Sequence, residues 1–133
     1  MKDLAPSDHG NDMTCTVMCT AESTVVAVTG SLDGTAAGHL LSRLTEEIAL
    51  RPRALIVDLT RVSFCSAQCL RSLLVASADA HAVGVPCVNV SDQRAVRRPV
   101  SLLELDQLLQ VHDNVAAARK WLSVVHNIST TNG

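Results

Sequence analysis

The segment FCSAQCL, Phe64 to Leu70, places two thiols, Cys65 and Cys69, on either side of one hydroxyl, Ser66. It lies between an apolar run that reads as a buried strand, ALIVDL, Ala54 to Leu59, and a helical pattern, RSLLVASADAHA, that starts at Arg71. A strand-to-helix junction presents the unpaired backbone N–H groups of a helix start, which attract acceptors and negative charge. Four chemistries suit these residue types there: a nucleophile, a redox thiol, a metal ligand, or a docking surface that carries thiols. A thiol at a helix N-terminus can ionise more readily and react faster. Cys65 and Cys69 are therefore redox candidates, with Cys87 in the next expected strand as a third thiol able to approach. The plainer reading of all three is packing, because free cysteine behaves as a small apolar residue.

The other chemistries find less support. A structural zinc site needs four ligands at matched spacing. The pairs Cys15/Cys19 and Cys65/Cys69 have Cys-x3-Cys spacing, but no His-x3–5-His follows either, so no metal is expected. Cys15 and Cys19 share one face of an expected strand about 13 Å apart, too far to bond to each other. A catalytic thiol or hydroxyl needs a base beside it. The histidines His9, His39, His81, His112 and His126 all lie away from the junction in sequence. No GxxxxGK[ST] phosphate loop is present. The expectation is a protein that is not an enzyme and carries no cofactor.

Composition narrows the class further. With 133 residues, 47% of them hydrophobic, the chain can bury one modest core. One Phe, one Trp and no Tyr make that core aliphatic and argue against single-stranded nucleic-acid binding, which relies on stacking. The formal net charge is -2, and the densest basic group, Arg94, Arg97 and Arg98, reads as a solvated helix face. No apolar run is long enough to span a bilayer, and the polar start MKDLAPSDHGND lacks the hydrophobic segment of a signal peptide. A cytoplasmic chain with reduced cysteines follows as the expectation.

The elements that would position the junction can be read in order. Residues 1–12 and 127–133 read as a disordered lead-in and tail around one domain, 13–126. TCTVMCT, Thr14 to Thr20, and STVVAVTG, Ser23 to Gly30, form an expected antiparallel hairpin. Gly30 breaks the second strand, and Asp33 or Thr35 caps a helix whose apolar stripe is Leu40, Leu41, Leu44 and Ile48. ALIVDL is the pattern of a strand covered on both faces, and Thr60 to Ser66 reads as a loop. Asp58 closes that strand and bonds the loop, Ser63 is a turn residue, and Ser66 caps the helix Gln68 to Val83, which Gly84 ends. A short strand from Val85 to Asp92, a short helix from Ala95 to Leu103 weakened by Pro99, a short strand or turn from Leu108 to Asn114, and a helix Val115 to Val125 complete the chain. Alternating strands and helices imply an α/β sandwich: a mixed sheet of about four or five strands with an N-terminal hairpin, packed with about four helices.

That order resembles a STAS domain of the anti-sigma factor antagonist type. The resemblance rests on VAVTGSLDGTAAGHLLSRL, which is similar to the family's strand and Gly-x-Leu-Asp turn. It rests also on LIVDLTRVSFCSAQCLRSLL, similar to its Val-Leu-Asp-Leu-Ser-x-Val-x-Phe-x-Asp-Ser-Ser-Gly-Leu segment, and on a late helix containing AAARKWL. It covers roughly residues 14–124. The family's Asp-Ser-Ser-Gly aligns with Ser66, Ala67, Gln68 and Cys69. In the family the first of those serines is phosphorylated by a kinase-type anti-sigma factor, which releases the partner. Here the equivalent of the phosphorylation site is Ala67, which has no hydroxyl, with Ser66 as the adjacent candidate.

The resemblance implies a partner-binding face made of Ser31, Asp33, Thr35, Ser63, Cys65, Ser66, Ala67, Gln68 and Cys69. The partner would be an ATP-binding, kinase-like anti-sigma factor, bound without nucleic acid or membrane, and there is room for a weak homodimer. Binding would free a sigma factor for transcription and would be constitutive or controlled by thiols. Two other readings remain open: a thiol-based redox protein, and a sensory or scaffold STAS module that binds a small ligand.

Overall fold

The computed structural model describes residues 13–132. The expected lead-in, residues 1–12, lies outside the described residues. Five strands form one sheet in the order β1-β2-β3-β4-β5: β1 (Thr14–Cys19), β2 (Thr24–Leu32), β3 (Leu55–Cys65), β4 (Cys87–Val90) and β5 (Val111–His112). The β1–β2 pair is the expected antiparallel hairpin, and all the other neighbours are parallel. The helices are α1 (Ala37–Ala49), α2 (Ala67–Ala82), α3 (Arg94–Leu102), the single turn α4 (Asp106–Leu109) and α5 (Val115–Asn132). The expected mixed α/β sandwich is present, with α4 as an additional short helix.

Parallel neighbours in direct succession place the crossover helices on one face of the sheet. There Leu40, Leu44 and Ile48 of α1 and Leu70, Leu73 and Ala76 of α2 pack with Val26, Leu55, Val57 and Leu59. On the other face, Val25, Ile56, Val88 and Val90 meet Ala118 and Leu122 of α5. The middle of β3 is thus buried on both faces, which is why ALIVDL reads as continuously apolar. Trp121 packs its ring against His112, centroids 5.6 Å apart.

Three parts depart from the sequence reading. Gly30 does not end β2, which runs on to Leu32, and the expected loop Thr60 to Ser66 is strand up to Cys65. The register explains both. Ala27 pairs with Asp58 but Thr29 with Arg61, and Gly30 pairs with Val62 but Ser31 with Phe64. Each shift inserts one extra residue into β3, a β-bulge that bends the strand and re-aims its side chains. Leu59, Val62 and Cys65 consequently all face the core at a spacing of three, which disguises the strand's period of two. Asp58 holds the first bulge, its Oδ1 accepting from the Thr60 amide (3.0 Å) and hydroxyl (2.7 Å). Finally, α5 continues to Asn132, where a tail was expected from 127. Adding a residue to a helix that is already nucleated costs far less than starting one, so the helix can run on through residues of low intrinsic propensity.

Leu59 is fully buried and Leu50 is 73% exposed. Leu59→Ala is expected to lower unfolding stability in urea by about 3 kcal/mol through lost burial and a residual cavity. Leu50→Ala is expected to stay within about 0.5 kcal/mol of the parent.

Candidate functional site

The carboxyl ends of β2 and β3 lie side by side, and this brings the two separated sequence segments together. Ser31 pairs with Phe64 and Leu32 with Cys65. The Ser66 amide donates to the Leu32 carbonyl at 2.8 Å. The Cys69 thiol donates to the Asp33 carbonyl at 3.2 Å, and the Ser63 hydroxyl to the Gly30 carbonyl at 3.4 Å. One turn further along α2, the Ser72 hydroxyl donates to the Ala37 carbonyl at 2.9 Å. The turn after β2 and the start of α2 therefore form one connected surface.

Local sequence shapes each half. Asp33 caps a 3-10 turn, Gly34–Ala36, that leads into α1: its Oδ1 accepts from the Thr35 amide (3.0 Å) and hydroxyl (2.6 Å). The Thr35 hydroxyl is the main reason its carboxyl is held below the usual carboxylate range. Ser66 caps α2, its hydroxyl accepting from the Cys69 amide at 3.2 Å, as the sequence predicted. Ala67 is the first residue of α2 and is exposed, and Gln68 beside it is exposed too. The Gln68 amide lies against Gly34, where an added Cβ would come within 3.4 Å of Nε2.

Of the predicted face, Ser63, Ala67, Gln68 and Thr35 are exposed, and Ser31, Asp33 and Ser66 are half-buried. Cys65 and Cys69 are buried at 6% and 0% exposure, so they support the surface from beneath. Sequence reasoning overlooked Phe64. The chain's one phenylalanine is 51% exposed beside Ser63. Ser63 and Phe64 are exposed between the buried Val62 and Cys65, a pattern that breaks strand alternation and is explained only by the bulge.

Burial opposes ionisation at all three candidate thiols. Burial pushes Cys65 from 9.0 up to about 12, helped by the neighbouring Cys69. Burial also raises Cys69, and it outweighs the bonds to Ser66 that act in the opposite direction. Desolvation of the thiolate overrides the helix-start effect at these positions. Cys87 pairs with Leu55 at the far end of β3, ten residues from Cys65. That separation is roughly 30 Å by strand rise, so Cys87 does not approach the junction. It too is raised by burial, to about 11.

Elsewhere, Arg97 donates from Nε to the Ser91 carbonyl (2.9 Å) and pairs with Asp113, while Arg94 and Arg98 are exposed. Among the described residues, no three His, Cys, Asp or Glu side chains cluster as a metal site. Among the described residues, no helix is long and apolar enough to cross a membrane.

The model of the STAS domain family matches residues 16–118. The chain belongs to the STAS family. Solved STAS-like structures share its fold. One is an anti-sigma factor antagonist from Mycobacterium paratuberculosis, 25% identical, covering 84% of this chain and 95% of that one at a TM-score of 0.74. Another is a Ser-to-Glu variant of RsbS from Moorella thermoacetica, 19% identical over 85% of this chain and 97% of that one, TM-score 0.72. A third is the phosphorylated form of SpoIIAA, a Bacillus cell fate determinant, 17% identical over 80% and 98%, TM-score 0.62. A search of curated protein sequences finds no significant match.

Two outcomes follow from the buried thiols of this STAS domain. Maleimide labelling of the folded chain at pH 8 is expected to modify exposed Cys19 first, with Cys65 and Cys69 slower by at least about tenfold; mass spectrometry of the peptides reads this. The Cys65 thiol also stays protonated in the fold at pH values where the unfolded chain ionises it. Its contribution to stability is complete below about pH 9 and declines as pH rises toward 12. The slope is about 1.4 kcal/mol per pH unit for such a thiol, and the difference in urea unfolding between the parent and Cys65→Ala at pH 8 and pH 10.5 reads it.

Proposed function

We propose that this STAS protein is an anti-sigma factor antagonist: it binds an anti-sigma factor and so frees a sigma factor for transcription. The observation that carries this reading is the continuous surface made by Ser31, Asp33 and Thr35 on one side and Ser63, Phe64, Ala67 and Gln68 on the other. The likeness to the mycobacterial anti-sigma factor antagonist supports it. An exposed aromatic side chain amid polar neighbours is the kind of anchor that dominates binding energy at protein interfaces. The role is competitive binding by a cytoplasmic protein with no catalytic group of its own. The partner is an ATP-binding, kinase-like anti-sigma factor, and the sigma factor is released as this chain occupies it.

Regulation at this face follows from Ala67. The position that resembles the family's phosphorylated serine has no hydroxyl to modify. The neighbouring Ser66 hydroxyl is engaged as the cap of α2. A phosphate adds nearly two negative charges at a helix start, and position 67 of this chain has no hydroxyl to receive it. We therefore read the antagonist as constitutive toward its partner. Burial of Cys65 and Cys69 favours constitutive binding over thiol control.

Affinity capture from the native host's lysate, with and without reductant, tests the reading. The tagged protein is expected to retain an ATP-binding anti-sigma factor in both arms. Phe64→Ala is expected to reduce recovery at least about tenfold. Failure to recover any anti-sigma factor, or equal recovery by the variant, contradicts the assigned surface.

A further inference from the structure

The two edges of the sheet are unlike each other. At one edge β5 is two residues long, and so short a strand gives another chain little to pair with. At the other edge β1 is six residues long and keeps an unbroken register with β2. Its sequence, TCTVMC, holds no charged side chain and no proline. It therefore lacks the bulge, charge or proline that usually blunts an edge strand. Thr14, Thr16, Met18 and Cys19 are exposed, and Cys15 and Val17 are half-buried. The ladder fixes which backbone groups point outward. The Thr24 amide donates to the Ala54 carbonyl at 2.9 Å, away from β1. Cys19, which pairs with Thr24, therefore turns its own amide and carbonyl outward. Bonded and non-bonded pairs alternate along an antiparallel ladder, so Val17 and Cys15 point outward too, while Thr14, Thr16 and Met18 bond β2. Among the described residues, no strand lies on the outer side of β1.

We propose that a second copy of this chain covers this edge, its β1 pairing antiparallel with the first about a two-fold axis at Val17. A two-fold contact uses one patch twice, so the patch must complement itself. The outward residues of β1 stand at 15, 17 and 19, and only these can bond across the edge. Centring the pair on Val17 sets Val17 against itself and Cys15 against Cys19, which bonds all three outward residues of each copy. Centring it on Thr16 or Met18 carries Cys19 or Cys15 past the end of the opposing strand. Val17 therefore gives the fullest pairing. It also sets Thr16 opposite Met18 of the second copy on the exposed face. One strand pair buries less surface than a permanent dimer does, so the association is weak and reversible.

The dimer edge is separate from the Phe64 surface, which is built by the carboxyl ends of β2 and β3. Because β2 runs antiparallel to β1 in each copy, the two-fold pairing sends the two carboxyl ends of β2 in opposite directions. The two Phe64 surfaces then stand at opposite ends of one joined sheet, and both stay open. The inference does not depend on the antagonist reading.

Sedimentation equilibrium of the full chain, joined to amide hydrogen exchange at low and high concentration, tests it. A reversible monomer–dimer equilibrium is expected below roughly millimolar concentration. The amides of Cys15, Val17 and Cys19 are expected to exchange more slowly as the dimer forms. Two double variants at exposed positions read the register. Thr16→Lys/Met18→Lys sets like charges directly opposite at two places, and is expected to raise the dissociation constant at least about tenfold. Thr16→Lys/Met18→Glu sets lysine against glutamate at the same two places, and is expected to dimerise at least as well as the parent. Both variants are expected to melt as the parent monomer does. The proposal is overturned by a chain that stays monomeric up to roughly millimolar concentration, by a dimer in which the three amides gain no protection, or by a dimer that the two variants equally keep or equally lose.

Discussion

The parallel ladder between β2 and β3 is the constraint on which the rest depends. Its pairing brings Ser31 and Leu32 beside Phe64 and Cys65, although the two segments are more than thirty residues apart in sequence. Two extra residues in β3 make the ladder irregular, and that irregularity has a result. It turns Val62 and Cys65 back into the core and leaves Ser63 and Phe64 at the surface. A regular strand would have exposed a different set. Bulges next to functional surfaces are a recurrent way to re-aim a side chain without breaking a sheet, and Asp58 stabilises this one through Thr60.

Beneath the surface, the two cysteines act as small apolar spacers with one useful polar contact. The Cys69 thiol bonds the Asp33 carbonyl, tying α2 to the turn after β2, and Cys65 closes the core below Phe64. At both positions burial raises the thiol and opposes the field of the helix start. Placement at a helix N-terminus argues for reactivity only where water or a cation can also stabilise the anion.

Much of the fold was legible in the sequence because the core is aliphatic and periodic. The stripe Leu40, Leu44 and Ile48 and the run ALIVDL each identify one element with one environment. The caps were legible as well: Asp33 and Ser66 both bond the amides that their positions imply. What stayed hidden depended on pairing. Thr60 to Ser66 reads as a loop because bulges erase the alternation that marks a strand. Phe64 lies in the FCSAQCL segment, but its exposure is decided by register, which the sequence does not show. Cys87 looked close to the junction because adjacent strands do lie close, yet the register sets it at the opposite end of β3. The resemblance to the family reached the same surface from the motif, and it could not tell which of those residues face water.

On the proposed reading the docking face escapes phosphorylation by its partner because position 67 is alanine, and phosphate transfer decides this. The purified anti-sigma factor would be incubated with labelled ATP and either this protein or its Ala67→Ser variant, and label and complex would be followed together. The account predicts no label on the natural chain and an undiminished complex, with label and release appearing only in Ala67→Ser. Label on Ser66 or Ser63 of the natural chain, accompanied by loss of the complex, would contradict it.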